Sequence, residues 1–159
     1  MKKSPELSLR GRALQYLARR EYSRAELAAK LRPYVQVEDD FEQLQRVDLE
    51  ALLNELTESG YLSDERAATQ LLHARRSRFG IQRITREMRE KGMGEELIEQ
   101  ALPELKDSEL EAARSVWQRK FGTIAVDAKE KARQMRFLQS RGFGFDVIFK
   151  VLQSSDVED

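Results

Sequence analysis

Arginine and lysine side chains are the groups in this sequence with the clearest capacity for chemistry, and they cluster in two segments. Residues 75–91 hold seven basic and two acidic side chains, and residues 114–141 hold eight basic and two acidic. Acidic residues dominate 36–58, eight to one, and 95–111, seven to one. Guanidinium and ammonium groups bind phosphates and carboxylates. A chain of zero formal net charge can therefore still carry a basic face and an acidic face.

Side chains suited to catalysis or metal binding are scarce. His73 is the single histidine and cysteine is absent, so disulfides, thiolate metal sites and two-histidine metal sites are excluded. The sequence has no G-x-S-x-G nucleophile motif and no phosphate-binding P-loop. We therefore expect no catalytic residue, no metal and no cofactor. His73 lacks the usual catalytic partners, and we expect it to be structural or solvated.

Aromatic residues offer a second possible chemistry, because bases of single-stranded nucleic acid stack on exposed rings. The candidates are Trp117, Phe121, Phe137 and Phe143. They recur at helical spacing with other apolar residues, which favours packing in a core over base stacking.

Helices must position these residues, because apolar residues recur throughout at steps of three and four. Charged residues make up 35% of the chain, with only 3 prolines and 8 glycines, which favours an all-α protein. Ser23 and Glu26 have the spacing of a capping box, which predicts a helix start near Arg24. Ser63 and Asp64 are predicted to begin a helix that runs to about Arg78, and Gly80 to separate it from a short basic helix over Ile81–Glu90. Pro103 is predicted to end one helix and Ser108 to begin the next. Nine helices are expected in total.

An internal repeat organises these helices. A shift of 50 residues aligns Lys91-Gly92-Met93-Gly94 with Arg141-Gly142-Phe143-Gly144. The same shift places Arg83 on Arg133 and Arg86 on Arg136. We interpret the four glycines as turn formers and expect three tandem three-helix repeats in an elongated, curved array, because such short units share apolar faces with their neighbours. The expected repeats span residues 8–62, 63–105 and 106–153, followed by a frayed tail at 154–159.

The repeated basic positions are the best candidates for a binding surface, although charged helix residues are often merely solvated. They could contact nucleic-acid phosphate or an acidic protein surface, and the sequence does not separate these two. The expected partner-binding or nucleic-acid-binding residues are Arg75, Arg76, Arg78, Arg83, Arg86, Lys91, Arg133, Arg136 and Arg141.

One segment resembles the signature of a known family. It is Gly60-Tyr61-Leu62-Ser63-Asp64-Glu65-Arg66-Ala67-Ala68, followed by Arg75, Gly80, Arg83-Ile84, Met88 and Lys91-Gly92-Met93. These residues, with Ser23-x-x-Glu26-Leu27 before them and Phe137-Leu138-x-x-Arg141-Gly142-Phe143 after them, resemble the RecX regulatory proteins over residues 8–153. One departure is Ala67, where the family often has phenylalanine.

The resemblance implies a protein that binds the RecA recombinase filament, with single-stranded DNA inside that filament, and lies in its helical groove. It implies modulation, mostly inhibition, of the ATPase and strand-exchange activities of RecA in homologous recombination, DNA repair and the SOS response. We expect a monomer in the cytoplasm without a membrane partner, because no stretch approaches the roughly 20 apolar residues of a membrane span and the N-terminus has no apolar signal core.

Two other classes of function compete with this interpretation. A basic helix, a glycine turn and a further helix superficially resemble the helix-turn-helix of DNA-binding regulators. Zero net charge and tandem units without a concentrated recognition helix argue against that class. An enzyme is disfavoured because the expected site chemistry is missing from the sequence.

Overall fold

The computed structural model describes residues 7–35 and 42–154, and the helices there confirm the predicted all-α class. These residues contain eight α-helices, a short 3₁₀ segment (Arg32–Tyr34) and no β-strand. The helices are α1 (Leu9–Arg19), α2 (Arg24–Leu31), α3 (Glu42–Glu58), α4 (Asp64–Arg75), α5 (Ile81–Glu90), α6 (Glu95–Lys120), α7 (Ala128–Ser140) and α8 (Phe145–Ser154). No helix within the described ranges has the length and apolar character needed to cross a membrane. The predicted tail began at Ser154, but that residue is the last of α8, and residues 155–159 lie outside the described residues.

The chain divides into two compact units, of which the first comprises Met1–Ala68 with Lys91–Met93. Its core is built mainly from leucines of α2 and α3 and the residues that follow them: Leu27, Leu31, Leu49, Leu53, Leu56 and Leu62. The predicted capping box is confirmed at the start of α2, because Ser23 Oγ accepts from the Glu26 amide and Glu26 Oε1 accepts from the Ser23 amide, both at 3.1 Å. This local cap fixes where α2 begins.

The second unit comprises Thr69–Glu90 with Gly94–Asp159. Trp117 and Phe143 lie in its core, and Phe121 and Phe137 are half-buried against it, so the predicted core packing of these aromatic residues is confirmed. The Trp117 indole donates a hydrogen bond to Gln134 at 2.9 Å, which ties α6 to α7 inside the unit.

The predicted break between two helices at Pro103 and Ser108 is wrong, because α6 runs without interruption through both residues. A proline inside a helix lacks an amide donor and costs about 3 kcal/mol or more. Pro103 lies on the exposed side of α6, where water can satisfy the freed carbonyl. The opposite side buries residues along its whole length, including Ile98, Leu105 and Trp117. That continuous burial outweighs the local signal to stop.

The end of α4 also differs from the sequence prediction, which extended that helix to Arg78. The helix ends at Arg75, and the amides of Arg78 and Phe79 both donate to the Arg75 carbonyl at 3.0 Å. This turn places Phe79 two residues before the start of α5, whose bounds, Ile81–Glu90, are as predicted.

Candidate functional site

An open groove of about 810 Å³ lies in the second unit, where three segments of the chain meet. Its walls come from the end of α4 with the following turn, from one face of α5, and from the end of α7 with its glycine turn. Four of the predicted site residues line it: Arg75, Arg78, Arg83 and Arg86. Two carboxylates, Glu87 and Glu90, line it as well. The groove therefore carries more positive than negative charge.

Backbone contacts with the glycine turn after α7 hold the start of α5 in place. The Gly80 amide donates to the Arg141 carbonyl at 2.8 Å, and the Gln82 amide donates to the Gly142 carbonyl at 3.2 Å. A Cβ atom on Gly80 would lie 2.3 Å from the Gly142 oxygen, so no side chain fits there. Gly142 itself has φ of +91°, which other residues rarely adopt. Both glycines are therefore required for this close approach.

A buried carboxylate completes the start of α5. Glu109 of α6, only 9% exposed, accepts a hydrogen bond from the Ile81 amide at 2.7 Å. Burial raises the pKa of the Glu109 carboxyl, and the nearby Asp146 raises it further, whereas the hydrogen bond from Ile81 opposes that shift. The first amides of a helix have no partner inside the helix. In α5, the Ile81 amide is satisfied by Glu109 of α6 and the Gln82 amide by the Gly142 carbonyl in the turn after α7.

Two arginines of the groove already have carboxylate partners. Arg75 donates two hydrogen bonds to Glu87, at 3.0 and 3.2 Å, and Arg86 pairs with Glu90 at 3.2 Å. The side chains of Arg86 and Glu90 are 80% and 64% exposed, and such surface pairs contribute only about 0–1 kcal/mol. Arg86 can therefore exchange its partner for an external anion at little cost.

Arg78 and Arg83 have no carboxylate partner among the described residues, and both are exposed. The guanidinium carbon of Arg83 lies 4.1 Å from the centre of the Phe79 ring, in cation–π contact. Arg141 approaches the same ring at 5.5 Å and the Phe137 ring at 5.2 Å. The rings orient these guanidinium groups without neutralising them, so their charge remains available to an anionic partner.

The remaining predicted residues do not line the groove. Arg76 pairs with Glu104 in a separate depression that Asp107 and Glu111 also line. Lys91, in the first unit, pairs with Glu26 at 3.2 Å. Arg133 pairs with Glu130 at 3.2 Å and approaches the Phe121 ring at 5.4 Å. Arg136 is exposed on α7. The structure thus brings together four of the nine residues, with Arg141 beside them.

Three residues that support the groove were not predicted from the sequence. Phe79 supports Arg83 through a ring contact, Glu87 fixes Arg75 from the next helix, and Glu109 caps α5 from 28 positions along the chain. The recurring Phe-Gly pair at 79–80 and 121–122 was the one local signal that pointed to Phe79. Nothing local marks Glu109. Within the described ranges, no group of three or more His, Cys, Asp or Glu residues is arranged to hold a metal ion.

The glycine turn before α6 makes a related set of contacts in the first unit. The Lys91 carbonyl accepts a hydrogen bond from Ser23 Oγ at 2.5 Å, and Asp64 accepts one from the Arg24 amide at 2.7 Å. Gly92 has φ of +73° and lies against Ala25. We call this arrangement at the start of α2 the first junction, and the corresponding arrangement at the start of α5 the second junction. Each combines a glycine turn with a carboxylate from another helix.

Comparison with known proteins identifies the family. Residues 63–102 match the family model described as "RecX, second three-helix domain", and residues 107–152 match "RecX, third three-helix domain". The chain is 46% identical to regulatory protein RecX of Leptothrix cholodnii, covering 97% of this chain and 93% of that protein. It is 42% identical to regulatory protein RecX of Chromobacterium violaceum, covering 96% and 93%.

A solved structure has the same fold. The crystal structure of RecX from Lactobacillus salivarius superposes with a TM-score of 0.72 at 18% identity, covering 94% of this chain and 95% of that one. At that identity the structure supports the fold, whereas the relatives above support the family. The chain therefore belongs to the RecX family of regulatory proteins.

Proposed function

We propose that this protein regulates RecA recombinase by binding the assembled filament through the basic groove of the second unit. The observation that carries this proposal is the pair of exposed guanidinium groups, Arg78 and Arg83, with which no carboxylate of residues 7–35 and 42–154 forms an ion pair. An anionic partner supplies the missing negative charge. Binding lowers the ATPase and strand-exchange activities of RecA in homologous recombination and DNA repair, including the SOS response.

The groove offers two grades of contact. Arg78 and Arg83 bind an anion directly, whereas Arg86 first releases Glu90. Arg75 is held by two hydrogen bonds to Glu87, so it contributes mainly to the shape of the groove and to its electrostatic potential. The anion is either a phosphate of the single-stranded DNA within the filament or a carboxylate on RecA. Each such contact contributes on the order of 1 kcal/mol.

A tandem arrangement strengthens binding to a filament over binding to a free subunit. We propose repeats at residues 8–62, 63–105 and 106–153, each contributing contacts along the filament. Once one repeat is bound, the others bind at high effective concentration. The protein acts in this proposal as a cytoplasmic monomer, with no catalytic step and no cofactor of its own.

The test is cosedimentation with filaments of RecA, single-stranded DNA and ATP, with naked DNA and free RecA as separate arms. The double variant Arg78→Glu/Arg83→Glu is expected to lose at least about tenfold in filament affinity. The matched control is Arg32→Glu/Arg114→Glu, which changes net charge equally at exposed residues that do not line the groove. Equal binding of wild type and groove variant would overturn the proposal. Tight binding to naked duplex DNA without RecA would instead favour a DNA-binding regulator.

A further inference from the structure

Beside the backbone contacts with the glycine turn, one buried side chain from another helix completes the start of α5. Gly80, which precedes the helix, has no side chain to cap it, and the first turn of α5 contains no acidic residue. The Ile81 amide is satisfied by Glu109 alone among the described hydrogen bonds. Arg83, two residues further on, lines the groove together with Gln82. A change at Glu109 therefore acts on the helix turn that presents Arg83.

The first junction contains the same device. Arg24 is the first residue of α2, as Ile81 is the first residue of α5. The Arg24 amide donates to Asp64 at 2.7 Å, the same distance as from the Ile81 amide to Glu109. The same contact is therefore built twice in one chain, which argues that it positions the helix and is not an isolated accident of packing.

We propose that Glu109 is a positioning residue for the basic groove: its carboxylate fixes the first turn of α5 and thereby the direction in which Arg83 meets the partner. This inference rests on the proposed function of the groove. It assigns Glu109 no contact with the partner, because the carboxylate is buried against Ile81.

Three substitutions separate positioning from electrostatics. Glu109→Gln keeps an oxygen that accepts from Ile81 and removes the charge, Glu109→Asp keeps the charge and shortens the reach, and Glu109→Leu removes the acceptor. Positioning predicts filament affinity within about threefold of wild type for glutamine and about tenfold weaker for aspartate and leucine. An electrostatic role would give a different order, because loss of a negative charge near the groove would strengthen binding in both the glutamine and leucine variants.

Amide hydrogen exchange supplies a readout that does not depend on the partner. In the aspartate and leucine variants, the Ile81 and Gln82 amides are expected to lose protection while amides in the α7 and α8 core keep theirs. The matched control is Asp64→Leu, which should expose the Arg24 amide and leave the Ile81 and Gln82 amides protected.

The outcomes distinguish this inference from the proposed function. If the groove variant Arg78→Glu/Arg83→Glu binds like wild type, the proposed function fails, and exchange at Ile81 still tests Glu109. If Ile81 stays protected in the aspartate variant, or if that variant binds filaments like wild type while the groove variant does not, the positioning role is wrong. The aspartate variant retains the charge and serves as the test should the leucine variant fail to fold.

Discussion

The two junctions have the same construction but differ in whether a carboxylate neutralises their positive charge. In each junction, a carboxylate from another helix accepts a hydrogen bond from the amide of the first helical residue. The residue just before that helix donates a hydrogen bond to the carbonyl that precedes a glycine with positive φ. They differ at the third helical residue, which is Glu26 in α2 and Arg83 in α5. The residue at this position determines whether a carboxylate neutralises the cation next to the glycine turn, which is Lys91 in the first junction and Arg141 in the second.

The cations near the two junctions differ in their partners as a result. Glu26 pairs with Lys91 at 3.2 Å and with Arg20 at 2.9 Å, so the first junction holds its positive charge internally. Arg83 offers no such partner, and Arg141 packs on aromatic rings instead of a carboxylate. A duplicated scaffold can thus hold its cations in internal ion pairs in one copy and leave them for the proposed binding surface in the other.

The largest expected effect on stability is at the glycine of the second junction. In Gly142→Ala, the new Cβ would lie 2.4 Å from Arg83 Cβ and 2.7 Å from its backbone nitrogen, at φ of +91°. Clash and backbone strain together should lower the free energy of unfolding by about 3 kcal/mol or more. Chemical denaturation followed by circular dichroism measures this loss.

Two other glycines calibrate that effect. Gly60 has φ of +84° and open space around it, so Gly60→Ala should cost only the backbone strain of about 1–2 kcal/mol. Gly92→Ala would meet the Ala25 methyl at 2.5 Å, and adding Ala25→Gly should recover part of the loss. If Gly60→Ala and Gly142→Ala were equally destabilising, the close contact of the second junction would be irrelevant.

Exchange of the third helical residue is the most direct test of the difference between the junctions. Arg83→Glu gives α5 the same third residue that α2 has in Glu26, and the new carboxylate can pair with Arg141. We expect melting within a few degrees of wild type and about tenfold weaker filament binding, because one cation is removed and a repulsive charge is added. Wild-type affinity in a stably folded variant would refute the importance of this position.

Neutralising Glu26, the third residue of α2, should produce a smaller, pH-dependent loss of stability. Burial alone would raise the pKa of Glu26, but hydrogen bonds from Arg20, the Ser23 amide and Lys91 lower it below its ordinary value. A lowered folded-state pKa stabilises the fold above the unfolded-state pKa of about 4.3, and this stability is lost as pH falls through the folded-state pKa.

Glu26→Gln should therefore cost about 1 kcal/mol at pH 7 and progressively less as the pH falls below about 4. Denaturation of both proteins at pH 7 and pH 3 measures the difference. A loss of the same size at both pH values would mean that packing, and not the charge of Glu26, stabilises the first junction.

Local signals predicted most of the fold, and non-local contacts explain what they missed. The capping box at Ser23 and the bounds of α5 follow from neighbouring residues. The continuity of α6 through Pro103 does not, because burial on the opposite side of the helix overrides the proline. The candidate site shows the same limit: basic residues were recognisable in the sequence, but the carboxylates that neutralise some of them lie on other turns and helices. Charge density along a sequence therefore locates a basic region better than it locates the free charges within it.

The smallest expected effect compares an arginine without a carboxylate partner among the described residues with a paired arginine two residues away. Arg78 is exposed in the groove, whereas Arg76 pairs with Glu104 in a separate depression lined by acidic residues. Arg78→Ala should weaken filament binding about threefold to fivefold, and Arg76→Ala should leave it within about twofold. Neither substitution should change the free energy of unfolding by more than about 0.5 kcal/mol, since both side chains are at the surface. Titration of each variant against labelled filaments at two salt concentrations measures the affinities, and the salt dependence should decrease for Arg78→Ala alone. Equal losses at the two positions would mean that a neutralised arginine contributes as much as a free one, and the distinction between the junctions would then not extend to binding.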